Sequence, residues 1–233
     1  MTYVLIPGAG GSADYWHLLV DELRRRGHDT VAVDLPAADD TAALPEYADT
    51  VRAAIGERRQ VVLVAHSLGA FTAPLLADDP RVTMIVLVNP MIPAPGETAG
   101  QWWEATGHAQ ARAAHAAAQG RAPSDHVDLA VDFFHDVAEP VVARLTAADA
   151  PQESEAVFTH PNPLRRWPDV PTRVITGRDD RFFPAEFQRR LARERLGVGV
   201  DVLPGGHLIA LSQPRRLADQ LDAYRTQAHP ARP

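Results

Sequence analysis

Three short stretches of this chain carry residue types that can act together on a carbonyl carbon. Ala65-His66-Ser67-Leu68-Gly69 sets a serine between small residues two positions before and two after it, with Ala70 next. A serine lifted clear of a sharp strand-to-helix turn needs that pattern, because larger flanking side chains would crowd the neighbouring backbone. The helix start beneath it favours negative charge. Serine is a weak nucleophile until a base takes its proton and a third group orients that base. Gly205-Gly206-His207 supplies an imidazole, and Gly177-Arg178-Asp179-Asp180 supplies two carboxylates. Asp180 is the expected orienter, because Gly177-x-x-Asp180-x-x-x-Pro184 spaces it from both the preceding strand and the following helix. Asp179 reads as an exposed turn residue. A lone serine before a helix is ordinarily an N-cap. Its strand context, its small neighbours and the chain order Ser, acid, His turn the expectation toward nucleophilic catalysis.

A second motif competes with the first. Gly8-Ala9-Gly10-Gly11-Ser12-Ala13 matches G-x-G-x-x-A, follows an apolar run and precedes a helical pattern, and Asp34 stands 24 positions after Gly10. That is the dinucleotide fingerprint. The same glycines also allow a turn to aim a backbone N–H at a developing oxyanion. Composition weighs on the choice. All 23 Lys+Arg positions are arginine and there is no cysteine. Schiff-base chemistry, lysine bases, thiolate metal sites and cysteine nucleophiles are thereby excluded. So is the Tyr-x-x-x-Lys proton relay of short-chain dehydrogenases.

With 30 Asp+Glu against 23 Arg, the net charge is −7, and no basic run exceeds Arg24-Arg25-Arg26. Nucleic acid is not an expected partner. Met1–Ile6 enters an apolar run without a basic leader, and no segment approaches the ~20 apolar residues of a membrane span. A cytoplasmic protein, without membrane partners, is expected. His108, His115, His126, His135 and His160 show neither His-x-x-x-His nor His-Glu-x-x-His, so no metal and no cofactor are expected. His66 is expected to pack rather than react.

These groups need a scaffold that collects them at one edge. Short β-branched runs near Tyr3–Ile6, Thr30–Asp34, Gln60–Ala65, Thr83–Val88, Thr172–Thr176 and Gly199–Leu203 read as six strands. Helical patterns lie at Asp14–Arg26, Pro45–Ile55, Ser67–Ala77, Pro184–Leu196 and Pro214–Thr226. The alternation predicts an α/β fold: a mostly parallel sheet covered on both faces, with Val61-Val62-Leu63-Val64 at its centre. Ligand-handling groups in such sheets gather at the carboxyl ends of the strands. The interval between Val88 and Thr172 shows helical patches at Gly100–Gln119, Ser124–Val137 and Glu139–Ala148, then a Pro-rich return. It is expected to form a helical cap over residues 91–165, inserted into a core of residues 1–90 and 166–228, while His229–Pro233 reads as a disordered tail.

Taken together, Pro7-Gly8-Ala9-Gly10-Gly11, Ala65–Gly69, Gly177–Asp180 with Pro184, and Gly206-His207 resemble the α/β-hydrolase superfamily. The similarity points to small serine esterases of the plant methylesterase and hydroxynitrile lyase type. Pro7 stands where a histidine is common, and Ala65 replaces a glycine. The resemblance implies a nucleophile at Ser67, a base at His207 oriented by Asp180, and an oxyanion hole from the N–H groups of Leu68 and Ala9. It also implies that the lyase branch, which uses a lysine, is closed to this chain, and it leaves Asn89 as a non-acidic residue at an alternative acid position. The expected substrate is a small, largely apolar ester. Phe71, Met91, Trp102, Trp103, Phe133, Phe134 and Phe158 are candidate pocket residues, one member of each adjacent pair facing the core and the other a cleft. A slow or non-catalytic ligand-binding protein, a thioesterase and a C–C bond hydrolase remain open alternatives on the same fold.

Overall fold

The computed structural model describes residues 1–124, 126–147 and 153–228. Six strands, β1 Thr2–Ile6, β2 Asp29–Ala32, β3 Val61–His66, β4 Val82–Val88, β5 Thr172–Gly177 and β6 Val200–Leu203, form one sheet. Their order is β2-β1-β3-β4-β5-β6 and every neighbouring pair is parallel. β3 and β4 occupy the middle. The β3 run is apolar without alternation because both of its faces are covered. Val61, Leu63 and Ala65 enter one core cluster, while Val62 and Val64 enter the other.

The first cluster is closed by helices α2 (Leu44–Ile55), α3 (Ala99–Thr106) and α7 (Ala185–Leu196), through Tyr47, Val51, Trp102, Phe187 and Leu191. The second is closed by α1 (His17–Arg25) and α9 (Pro214–Ala228), through Leu19, Leu23, Leu217 and Leu221. Between β4 and β5 lie α3, α4 (His108–Ala118), α5 (Glu139–Leu145) and α6 (Glu155–Thr159). A four-residue helix α8 (Ile209–Ser212) precedes α9. Among the described residues, no helix is long and apolar enough to cross a membrane.

Several helical patterns resolve differently from expectation. The expected helix over Ser67–Ala77 is two 3-10 turns, Ser67–Phe71 and Ala73–Leu76. Pro74 has no N–H to bond the Ala70 carbonyl, and its ring excludes the regular i−4 geometry. The patch over Gly100–Gln119 breaks at Gly107, whose φ of 66° ends α3 and begins α4. Ser124–Val137 is not an α-helix: a single π turn, Leu129–Phe133, is opened by the Asp128 carboxylate, which accepts from the Ala130 and Val131 N–H groups. Asp125, Ala148 and the expected tail His229–Pro233 lie outside the described residues.

Candidate active site

The turn after β3 holds a non-glycine residue in left-handed backbone. Ser67 has φ +49°, a left-handed conformation that costs a serine roughly 1–3 kcal/mol and persists only where its surroundings enforce it. They do so by close approach. A methyl at Gly69 would lie 2.5 Å from the Pro7 carbonyl oxygen and 3.0 Å from that of Ile6, so only glycine lets the elbow sit against the turn leaving β1. Ala65 is fully buried. The Met91 N–H donates to the Ser67 carbonyl at 3.0 Å and ties the elbow to the segment after β4.

At the ends of β5 and β6, His207 and Asp180 meet. His207 Nδ1 lies 2.8 Å from Asp180 Oδ2, and both side chains are excluded from solvent. The other Asp180 oxygen accepts from the Phe182 and Phe183 N–H groups, each at 2.8 Å, which fixes the plane of the carboxylate. Asp179 turns outward. Its hydrogen bonds with Arg178 hold its carboxyl below the usual carboxylate range, and it does not contact the imidazole.

The His207 backbone is held by groups from the centre of the sheet. Its carbonyl accepts from Asn89 Nδ2 at 2.7 Å and from His66 Nε2 at 3.0 Å. A carbonyl can only accept, so His66 carries its proton on Nε2. Burial, and then the neighbouring His207, push the His66 imidazole well below its ordinary pKa, and the ring is neutral and stacked on Tyr15. Asn89 is fully buried and left-handed, with φ +44°. It also donates to the Gly206 carbonyl and accepts from the Thr176 hydroxyl and the Gly177 N–H, which joins β4, β5 and the β6 loop. Sequence reasoning set Asn89 aside as a missing acid. Its amide instead carries four hydrogen bonds.

Among the described residues, no hydrogen bond joins Ser67 Oγ to the His207 ring, and no backbone acceptor takes the Ala9 or Leu68 N–H. Such contacts often tighten only with substrate bound. Ser67 is 7% exposed and Ala9 is exposed. Aromatic edges surround the imidazole: the centroids of Phe133, Phe183 and Phe182 lie 4.9, 5.0 and 5.4 Å from that of His207.

The structure therefore brings Phe133 and Met91 to the Ser67–His207 region, with Phe182 and Phe183 as additions. The doublet Phe182-Phe183, directly after Asp180, was a signal in the sequence. Phe71 and Trp102 have no exposed surface and pack in the core; the Trp102 indole N–H donates to the Ile92 carbonyl. Trp103 is half-buried against His108 and Phe182, and Phe158 is half-buried against the core. Phe134 is half-buried on the cap, outside both core clusters. A separate cavity of about 190 Å³ lies within the cap, lined by residues including Arg112, Arg121 and Asp132 and by none of the groups above.

The fingerprint turn is already filled by carboxylates. Gly10 N–H donates to Glu153 Oε2 at 2.8 Å, and Ala13 N–H donates to Asp34 Oδ1 at 2.7 Å. The donors a diphosphate would need, and the acid a ribose would need, are bonded to one another or to the cap. That arrangement disfavours an anionic dinucleotide. Among the described residues, no group of three His, Cys, Asp or Glu side chains is arranged to hold a metal ion.

Fold and geometry together define a class, and comparison with known proteins names it. A sequence profile described as the alpha/beta hydrolase family matches residues 3–220, and the chain belongs to that family. The probable esterase PIR7A of rice, Oryza sativa subsp. indica, is 35% identical over 112 residues, 42% of this chain and 42% of that protein. Norfluorocurarine synthase 1 of Strychnos nux-vomica is 29% identical over 103 residues, 39% of each chain. The matched stretch thus spans less than half the length of these curated relatives. Among solved structures, polyneuridine aldehyde esterase superposes with a TM-score of 0.76 at 20% identity, covering 96% of this chain and 98% of that one. A pyrethroid hydrolase from Sphingobium faniae JZ-2 superposes with a TM-score of 0.74 at 23% identity, covering 99% and 98%. These two likenesses concern the fold.

Proposed function

We propose that this chain is a serine carboxylesterase that cleaves small, largely apolar esters through an acyl-enzyme. The observation that carries the reading is the buried 2.8 Å contact between His207 and Asp180, with the His207 ring 4.8 Å from that of His66, the residue that precedes a serine in a left-handed elbow. Ser67 Oγ attacks the ester carbonyl carbon while His207 Nε2 takes its proton, and Asp180 stabilises the imidazolium and fixes its tautomer. The Leu68 and Ala9 N–H groups receive the tetrahedral oxyanion. His207 returns the proton to the leaving alkoxide and the alcohol departs. Water, deprotonated by the same imidazole, then attacks the acyl carbon, releasing the carboxylic acid and restoring Ser67.

The ring edges of Phe133, Phe182 and Phe183 around the imidazole favour an apolar group next to the scissile bond. Two similar proteins, the probable esterase PIR7A and polyneuridine aldehyde esterase, are esterases by name, which agrees with this class of reaction. The test is a panel of p-nitrophenyl esters, thioesters and β-diketones, run with wild type and Ser67→Ala. Short acyl esters are expected to turn over, and Ser67→Ala to lower kcat by at least about 10³-fold. Retention of most activity in that variant overturns the assignment. Tight binding of an apolar ligand without turnover of any panel member favours a binding protein on the same fold.

A further inference from the structure

One ionisable cap side chain reaches the turn that carries Ala9. The Glu153 carboxyl accepts from Gly10 N–H at 2.8 Å and from the Tyr47 hydroxyl of α2. Its neighbours dock on the same side. Ser154 Oγ donates to the Ala42 carbonyl at 2.6 Å, and Ala156 N–H donates to the Asp40 carbonyl at 3.3 Å. The segment that begins α6 is thereby fastened to the segment that leads into α2.

The turn it grips is rich in glycine. Gly10 and Gly11 are consecutive, both at positive φ, 87° and 61°, so no side chain on either residue restricts the backbone that follows Ala9. Two backbone bonds restrain it locally, Gly11 N–H to the Gly8 carbonyl at 3.1 Å and Leu35 N–H to the Gly11 carbonyl at 2.8 Å. The first holds the peptide that carries the Ala9 N–H by its carbonyl end; neither involves the next peptide, between Ala9 and Gly10. The bond to Glu153 does. That peptide shares the Ala9 Cα with the peptide whose N–H faces the developing oxyanion, so holding one limits the rotation of the other. An oxyanion donor works only if it is aimed before charge develops.

We infer that Glu153 is a positioning residue for the oxyanion hole: by accepting the Gly10 N–H, the cap holds the Ala9 N–H in its working direction. The inference rests on the esterase reading given above. A neutral acceptor suffices for this task. Burial pushes the Glu153 carboxyl above the ordinary carboxylate range. Glutamine keeps the accepting oxygen, and its amide can donate to the Tyr47 hydroxyl; alanine keeps neither.

The experiment compares Glu153→Ala and Glu153→Gln in the full chain, with Ser67→Ala as reference, by three readouts. These are kcat and KM on p-nitrophenyl acetate, affinity for an alkyl trifluoromethyl ketone whose adduct with Ser67 mimics the oxyanion, and amide exchange of segment 8–12. Removal of a whole oxyanion donor costs about 10²–10³ in kcat. Its misplacement in Glu153→Ala is expected to cost roughly 10- to 100-fold in kcat, with KM within about twofold. Ketone affinity falls by a similar factor and segment 8–12 exchanges faster, while Glu153→Gln stays within about threefold of wild type on every readout. Unchanged kcat and ketone affinity in a folded Glu153→Ala overturn the inference, as does equal loss in Glu153→Gln. If Glu153→Ala does not fold, Glu153→Gln and Tyr47→Phe carry the same three measurements, and a loss in Glu153→Gln alone contradicts it. Activity surviving in Ser67→Ala would instead remove the esterase reading, and the exchange data would still report whether Glu153 holds the turn.

Discussion

The two halves of the proposed reaction centre are supported in opposite ways. The His207 half is built into the sheet: Asp180, Asn89, His66 and Thr176 are all buried and come from the ends of β3, β4 and β5. The Ala9 half lies at the surface, on a glycine-rich turn gripped from the cap by Glu153. A base must keep one tautomer and one orientation through the cycle, which favours a dry network with every bond made. An oxyanion donor must face the space where substrate enters, so its support cannot close over it. Damage on the first side that strands a buried partner should therefore cost stability as well as rate, and damage on the second should cost rate alone.

The sharpest break on the His207 side is Asp180→Asn. Asparagine preserves acceptance from the Phe182 and Phe183 N–H groups but presents an amide to His207 Nδ1, which selects the wrong tautomer. We expect kcat to fall by about 10³- to 10⁴-fold with little change in the thermal midpoint, read by ester hydrolysis and calorimetry on the same preparation. Asn89→Leu is next. It strands the Gly206 carbonyl and the Gly177 N–H in the interior, removes one of the two donors to the His207 carbonyl, and places at φ +44° a leucine that has no local hydrogen bond to offset the strain. Urea unfolding is expected to show a loss of about 3 kcal/mol or more. Retained stability would show that the network around His207 is dispensable.

The His66 support adds a pH signature. His66 and His108 are both pushed below their ordinary pKa, chiefly by burial, so the folded protein keeps them neutral. In the unfolded chain each gains a proton near pH 6.5. Below that pH the unfolded state binds more protons, so stability is complete above about 6.5 and is lost as pH falls toward the lower folded values. Each contributes up to about 1.4 kcal/mol per pH unit in that window. His66→Gln, which retains a donor for the His207 carbonyl, should flatten the decline measured by urea unfolding between pH 6.5 and 5. The smallest effect is expected at the cap wall. Phe133→Ala removes a ring edge from the imidazole without opening the core, and it should change kcat/KM for aromatic esters by only about 3- to 10-fold.

What could be read from the chain follows the same division. The central strands were legible because Val61–Ala65 and Met84–Val88 are unbroken apolar runs, as doubly covered strands must be. Ser67 and His207 were legible because their turns carry local marks, small residues at Ala65 and Gly69 and the glycine pair before His207. Asn89 was not, since its four partners lie 87 to 118 positions away in sequence. Glu153 gave no local sign either, as Gly10 is 143 positions away and Tyr47 is 106. The cap was the least legible, because its shape depends on side chains bonding to backbone, such as Asp128 opening the π turn, rather than on periodicity. Pro74, by contrast, was visible and marks why the elbow helix is two short 3-10 turns.

The central claim is that Ser67 is a nucleophile activated by His207. The most direct measurement treats the protein with a p-nitrophenyl phosphonate and maps the adduct by tryptic peptide mass spectrometry. The peptide Gln60–Arg81 contains Ser67 as its only serine. A single adduct on that peptide, absent in Ser67→Ala and formed at least about 10²-fold more slowly in His207→Ala, is the predicted result. An adduct on another peptide, or equal labelling of Ser67→Ala, would contradict the account.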